Sequence, residues 1–136
     1  MADIISKEHR SWNMSRIRSK DTMPEITVRS LLHSLGYRFR LHDNKLPGKP
    51  DIVLKKYRTV IFVHGCFWHR HSGCKFAYTP KSRTEFWEKK FQTNIKRDEK
   101  VESDLISQGW RVIVIWECET KEIDILRQRI INIFKE

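Results

Sequence analysis

Residues 47–74 (PGKPDIVLKKYRTVIFVHGCFWHRHSGC) bring together Asp51, the histidines His64, His69 and His71, the cysteines Cys66 and Cys74, and the adjacent aromatics Phe67 and Trp68. Carboxylate, imidazole and thiolate are the side chains that hold divalent metals, and imidazole moves protons near neutral pH. Asp51 opens the apolar run Ile52-Val53-Leu54, Lys55 to Arg58 reads as a turn, and Thr59 to Val63 reads as a second buried strand running into His64-Gly65-Cys66. The pattern predicts a β-hairpin with chemistry at its ends. Polar groups are costly to bury unpaired, so such a cluster at a strand end points to a metal or a substrate.

Two chemistries can be written for the cluster. Cys66-x4-His71-x2-Cys74, joined by Cys118 at the end of WRVIVIWEC, offers the four ligands of a tetrahedral zinc site and uses all three cysteines. His69 and His64 are alternatives to His71 as its histidine, and simple burial of the cysteines is the competing account. Separately, Pro50-Asp51 at the start of a strand, with a second strand about ten residues on, resembles the PD…(D/E)xK arrangement in which carboxylates hold Mg²⁺ against a scissile phosphate. Its second half is missing, because the corresponding position reads Phe62-Val63-His64. A histidine could take the lysine's place and a neighbouring one act as general base.

The elements that must position these residues follow from the pattern on either side. Thr22-Met-Pro-Glu25 matches a capping box, so a helix is expected with Ile26, Val28, Leu31, Leu32 and Leu35 as its apolar stripe and Gly36 as its stop. Glu25 is explained as a cap, though a carboxylate there could also face a site. Tyr37 to Leu41 alternates as a half-buried strand. A loop with Pro47, Gly48 and Pro50 then delivers the chain to Asp51. A long basic helix is expected over about Arg83 to Gln108, capped by Ser82 or Thr84 and stopped by Gly109. Phe86, Phe91, Ile95, Val101, Leu105 and Ile106 mark its inward side, with a break near Thr93. Trp110 to Trp116 reads as a strand covered on both faces in the middle of a sheet, and Ile123 to Phe134 as a closing amphipathic helix. The fold class is α/β, a central mixed sheet flanked by helices.

The chain has 136 residues with neither repeat nor linker, consistent with one domain spanning residues 1–136. Neither a targeting peptide nor a run of about 18 apolar residues stands out, so a cytoplasmic protein with no membrane partner is expected. An odd number of cysteines in a reducing compartment disfavours a disulfide framework. The net charge of +10 favours a polyanion, because basic groups gain affinity by releasing counterions from phosphates. Residues 6–20 carry six basic side chains, counting His9 with Lys7, Arg10, Arg16, Arg18 and Lys20, around Trp12, Met14 and Ile17. This segment reads as a basic arm that orders on nucleic acid, or equally as a surface helix.

VIFVHGCFWHRH, LPGKPDIV, SRTEFWEKK…N…RD, WRVIVIWEC and the N-terminal SWNM…I…KDT…E together resemble the very-short-patch-repair (Vsr) DNA mismatch endonucleases over about residues 10–118. The resemblance implies a restriction-endonuclease-like fold with a structural zinc, and Mg²⁺-dependent nicking of one strand next to the T of a T:G mismatch. It implies Asp51 and the main-chain carbonyl of Val63 as Mg²⁺ ligands, and His64 and His69 as catalytic histidines supported by Glu25 and Asp98. Cys66, His71, Cys74 and Cys118 become the zinc ligands. Phe67, Trp68 and Trp87 resemble the aromatic wedge that enters the base stack, with Trp12, Met14 and Arg16 reaching DNA from the arm. In one departure, Cys74 stands one residue late, after Ser72-Gly73.

The expected partner is double-stranded DNA with a T:G mismatch, met by a monomer on the bacterial nucleoid, with mismatch-repair proteins as further candidates. Two rivals remain: a nicking endonuclease of the same fold specific for another sequence or lesion, and a zinc-containing DNA-binding module without catalysis. Asp51 beside two histidines argues against the second, since binding alone has no use for a carboxylate aimed at phosphates.

Overall fold

A computed structural model of the chain describes residues 22–135; the arm residues Trp12, Met14 and Arg16 lie outside the described part. Helix α1 spans Met23–Ser34, with Thr22 as its N-cap accepting from the Glu25 N–H. Strands β1 (Arg40–Leu41), β2 (Ile52–Leu54) and β3 (Thr59–His64) follow, the last two joined by a 3₁₀ turn over Lys55–Tyr57. Arg58 closes that turn in the left-handed region, which lets the chain reverse tightly enough for Leu54 to pair with Thr59. Helix α2 (Thr84–Ser107), strand β4 (Arg111–Trp116), a 3₁₀ turn over Glu117–Lys121 and helix α3 (Ile123–Phe134) complete the order.

The sheet runs β1-β2-β3-β4. The first two pairings are antiparallel and β3·β4 is parallel, as a strand–helix–strand crossover through α2 requires. Side chains alternate across it with period two. Ile52, Leu54, Ile61 and Ile115 pack with Val28, Leu31 and Leu32 of α1 and Leu126, Ile130 and Phe134 of α3. Val53, Val60, Phe62 and Val112 face the other way, onto Val101 and Leu105 of α2. The result is three layers, helices on both faces of a mixed sheet.

That alternation decides where the chemistry falls. Asp51 shares parity with Val53, and His64 shares it with Val60 and Phe62, so both continue the face covered by α2. The loop before Asp51 is pressed against the same helix: Gly48 has φ +73, and a Cβ there would stand 2.4 Å from a Val101 methyl.

Several expectations need correction. Among the described residues, strand β4 is an edge strand rather than a central one. Its apolar run reports cover on two faces, Ile113 and Ile115 on one side and Val112 on the other, and not neighbours on two edges. Helix α2 is unbroken through Thr93, whose hydroxyl donates to the Lys89 carbonyl inside the helix. Neither Ser82 nor Thr84 caps it; Arg83 occupies the N-cap position in the left-handed region, its guanidinium 4.4 Å from the Phe86 ring. Phe86 and Ile106 are exposed, leaving Phe91 and Leu105 as the buried anchors of the stripe. Strand β1 keeps only two of the five residues expected. Among the described residues, no helix is long and apolar enough to cross a membrane.

Candidate active site and metal centre

The loop after β1, the ends of β2 and β3, and the polar flank of α2 enclose a cleft of about 930 Å³. Asp51, His64, His69 and Asp98 all line it. His69 Nδ1 donates to Asp98 Oδ2 at 2.6 Å. A carboxylate only accepts, so this bond puts the proton on Nδ1 and leaves Nε2 as the acceptor. The His69 ring stacks on His64, with centroids 3.8 Å apart and planes within 5°. Burial, and then the neighbouring His69, hold the His64 imidazole down at about 4. His64 is therefore neutral at physiological pH, as two parallel imidazoles in contact require if both are not to carry charge.

Asp51 Oδ2 accepts the Val63 backbone N–H at 2.7 Å, tying the start of β2 to the end of β3. Burial raises its carboxyl from 3.8 to about 7; the Val63 bond opposes the rise and the adjacent Glu25 adds to it. Glu25 is 2% exposed, and its Oε2 binds both the Arg29 guanidinium and His42 Nε2, the latter at 2.8 Å. Glu25, His42 and Asp51 each present a ligand atom within 4.8 Å of the others. A half-buried carboxyl beside a buried one is a place where a divalent cation relieves repulsion, so these residues fit a hard metal ion. Of the two acids expected to support His64 and His69, Asp98 bonds His69 directly, whereas Glu25 bonds His42 beside Asp51.

A second cluster lies beyond the same strand ends. Parallel register pairs His64 with Trp116, so the chain two residues on from each places Cys66 beside Cys118. The His71 N–H donates to the Cys66 carbonyl and the Cys74 N–H to that of His71, winding the loop around one point. His71 Nδ1 stands 3.7 Å from Cys66 Sγ and 3.4 Å from Cys118 Sγ, and the four donor atoms lie within 4.8 Å of one another. Ligands of a tetrahedral zinc, bound at about 2.0–2.3 Å, are about 3.5–3.8 Å apart, so the set fits that ion. Burial pushes the Cys66 thiol up to about 12 and raises Cys118 as well, so a cation bound here must displace protons from these sulfurs. Cys118 is steadied from behind. Glu119 accepts from the Trp116 N–H and from Arg129 of α3, which also donates to the Val114 carbonyl. His64 and His69, the alternatives to His71, belong to the other cluster.

Between the clusters the loop presents Phe67 and Trp68, their rings edge to face at 5.0 Å. Trp87 of α2 lies 5.5 Å from Phe67 and 5.8 Å from Trp68. Asn94 of α2 donates to the Trp68 carbonyl.

The sequence model of the family described as DNA mismatch endonuclease Vsr matches residues 2–75, which include Glu25, Asp51, His64, His69 and three of the four residues of the Cys/His cluster. The chain belongs to the Vsr family. It is 52% identical over 133 residues to the type II nicking enzyme V.XorIIP of Xanthomonas oryzae pv. oryzae, covering 98% of this chain and 97% of that one. It is 48% identical over 136 residues to the type II nicking enzyme V.NmeAIP of Neisseria meningitidis, covering 100% and 96%. Against the DNA mismatch endonuclease Vsr of Escherichia coli it is 48% identical over 118 residues, covering 87% and 75%. This Vsr chain is thus an endodeoxyribonuclease of the mismatch and nicking type.

Sequence reasoning about the Vsr cleft missed His42 and Arg97. His42 follows β1, whose register sets Leu41 against Ile52, and its N–H donates to the Asp51 carbonyl. Pairing the two strands on paper would have brought it to Asp51. Arg97 also lines the cleft, one residue before Asp98, and donates to Asn94 Oδ1. Its only signal is its place on the α2 face that turns inward.

Proposed function

We propose that this Vsr chain nicks one strand of double-stranded DNA next to the T of a T:G mismatch, with Mg²⁺ at Asp51 and a structural zinc at Cys66, His71, Cys74 and Cys118. The observation that carries the reading is the convergence of Asp51, His64 and the His69–Asp98 pair on one cleft. A mixed sheet with its acidic residue at a strand start supports a restriction-endonuclease-like fold.

Asp51 and the main-chain carbonyl of Val63 would hold the magnesium, with Glu25 beside them. When bound, that ion supplies positive charge for the phosphate as negative charge builds on it. His69 accepts a proton from the attacking water at Nε2 while Asp98 holds Nδ1–H and steadies the imidazolium that forms. His64, neutral, donates one N–H to a phosphate oxygen or to the water. The water oxygen forms a new P–O bond as one ester P–O bond breaks, and the departing oxygen takes up a proton. Cys66, His71, Cys74 and Cys118 would hold the zinc with four protein donors, so its part would be to fasten the loop bearing Phe67, Trp68 and His69 to the strand ending at Trp116 rather than to activate water. Phe67, Trp68 and Trp87 would enter the base stack, where a mismatched step is cheapest to open.

The test is strand-resolved nicking of a panel of duplexes in Mg²⁺, each identical except for one mismatch. Selective cleavage beside the T of T:G is expected. Equal cleavage of the fully paired duplex would overturn the mismatch reading.

A further inference from the structure

The segment after the Cys/His cluster carries a large exposed aromatic that the wedge described above does not use. Tyr78 is 63% exposed, more than Trp68 at 43%, yet its ring lies 5.1 Å from that of Phe67. An exposed ring in contact with a stacking group is placed to continue the same surface outwards. The residues around it suit a polyanion. From Lys75 to Thr84 the chain has Lys75, Lys81 and Arg83, all exposed, and no acidic residue.

What holds Tyr78 there is Arg70. Its backbone takes φ +56, a left-handed conformation that L side chains rarely adopt. The guanidinium lies 3.9 Å from the Phe91 ring centroid. Its Nη1 donates to the Phe67 and Tyr78 carbonyls at 3.4 and 2.9 Å, and its Nη2 to Thr79 Oγ1 at 3.1 Å. A rigid planar fork can bridge two chain segments in this way; a lysine ammonium cannot reproduce the geometry. With one face on Phe91 and both terminal nitrogens committed within the protein, Arg70 is built as a clamp and not as a phosphate contact.

We propose that Tyr78 is a further base-stacking residue at the mismatch, and that Arg70 is the positioning residue that clamps the Tyr78 segment onto the loop bearing Phe67 and Trp68. This rests on the DNA-wedge reading above. It extends the wedge of Phe67, Trp68 and Trp87 by a fourth ring, from the segment after the Cys/His cluster.

The experiment measures binding of a T:G duplex without Mg²⁺, by anisotropy at several salt concentrations, together with the fluorescence of 2-aminopurine placed beside the mismatch. Tyr78→Ala should weaken binding on the order of tenfold and reduce the 2-aminopurine change, with melting temperature and salt slope unaltered, because a stacking contact and no phosphate contact is lost. Tyr78→Phe should restore binding. Arg70→Met should weaken binding similarly, and the double variant should bind no more weakly than Tyr78→Ala alone. Should Arg70→Met melt far below the parent, Arg70→Lys keeps the charge without the fork, and it too should weaken binding; full binding by Arg70→Lys would overturn the clamp, as would additive losses in the double variant. Trp68→Ala separates the two readings. A loss at Trp68 with none at Tyr78 would overturn this proposal alone, whereas no loss at Trp68 would overturn the wedge itself.

Discussion

The indole of Trp116 lies flat against the imidazole of His71, with ring centroids 4.3 Å apart and planes inclined by 9°. The same indole stands at 72° to the His64 ring, 5.3 Å away. One side chain at the end of β4 therefore touches a histidine of each cluster. Removing a group that orients a metal-bound histidine typically lowers affinity about 10–100-fold. Trp116→Leu is expected to lose zinc to a chelator at correspondingly lower concentration and to nick more slowly. Undiminished zinc retention would deny the indole that orienting role.

The pH dependence of stability has two opposing parts. Asp51, at about 7 folded against 3.8 unfolded, keeps an extra proton in the folded state between those values, so its contribution falls as pH rises through them. His64, at about 4 folded against 6.5 unfolded, leaves the extra proton on the unfolded chain, so its contribution rises from pH 4 to 6.5. Asp51→Asn keeps an acceptor for the Val63 N–H and removes the first part. Melts of the zinc-loaded protein without Mg²⁺ should show this variant at least as stable as the parent at pH 8, with stability rising more steeply from pH 4 to 6.5, while nicking in Mg²⁺ is abolished. A lower melting temperature at pH 8 would contradict the cost assigned to the buried carboxylate.

Asp98→Asn should be damaging out of proportion to its size. An amide can donate to Nδ1 and stabilise the wrong tautomer of His69, removing the acceptor at Nε2. Single-turnover nicking is expected to slow by about 10²–10⁴-fold with mismatch binding retained. His69→Ala should fall in the same range. Activity that survives at His69 and vanishes at His64 would exchange the two roles.

Cys118→Ser should lower zinc content and melting temperature together, since the ligand arrives from the strand next to the one leading to Cys66. Elemental analysis of the parent should find about one zinc per chain. A folded, active protein without zinc would refute the structural role.

Local sequence determined the helices and the β2–β3 hairpin, whose causes are local, but neither the extent of β1 nor the cap of α2. Thr22 caps α1 as its spacing to Glu25 requires, Gly109 (φ +89) follows the end of α2, and the apolar stripe of α3 ends at Phe134. The donor types at Cys66, His71, Cys74 and Cys118 were legible too, since few side chains bind soft cations. Tertiary structure decided what those donors meet. Parallel register carried Cys118 to Cys66, the β1·β2 pairing carried His42 to Asp51, and α2 brought Asp98 to His69 from 29 residues away in the chain. Edge position escaped the sequence for the same reason. An apolar run reports how many faces of a strand are covered, but hydrogen-bonded neighbours leave no trace in side-chain polarity, so β4 read as central while standing last in the sheet of the described residues.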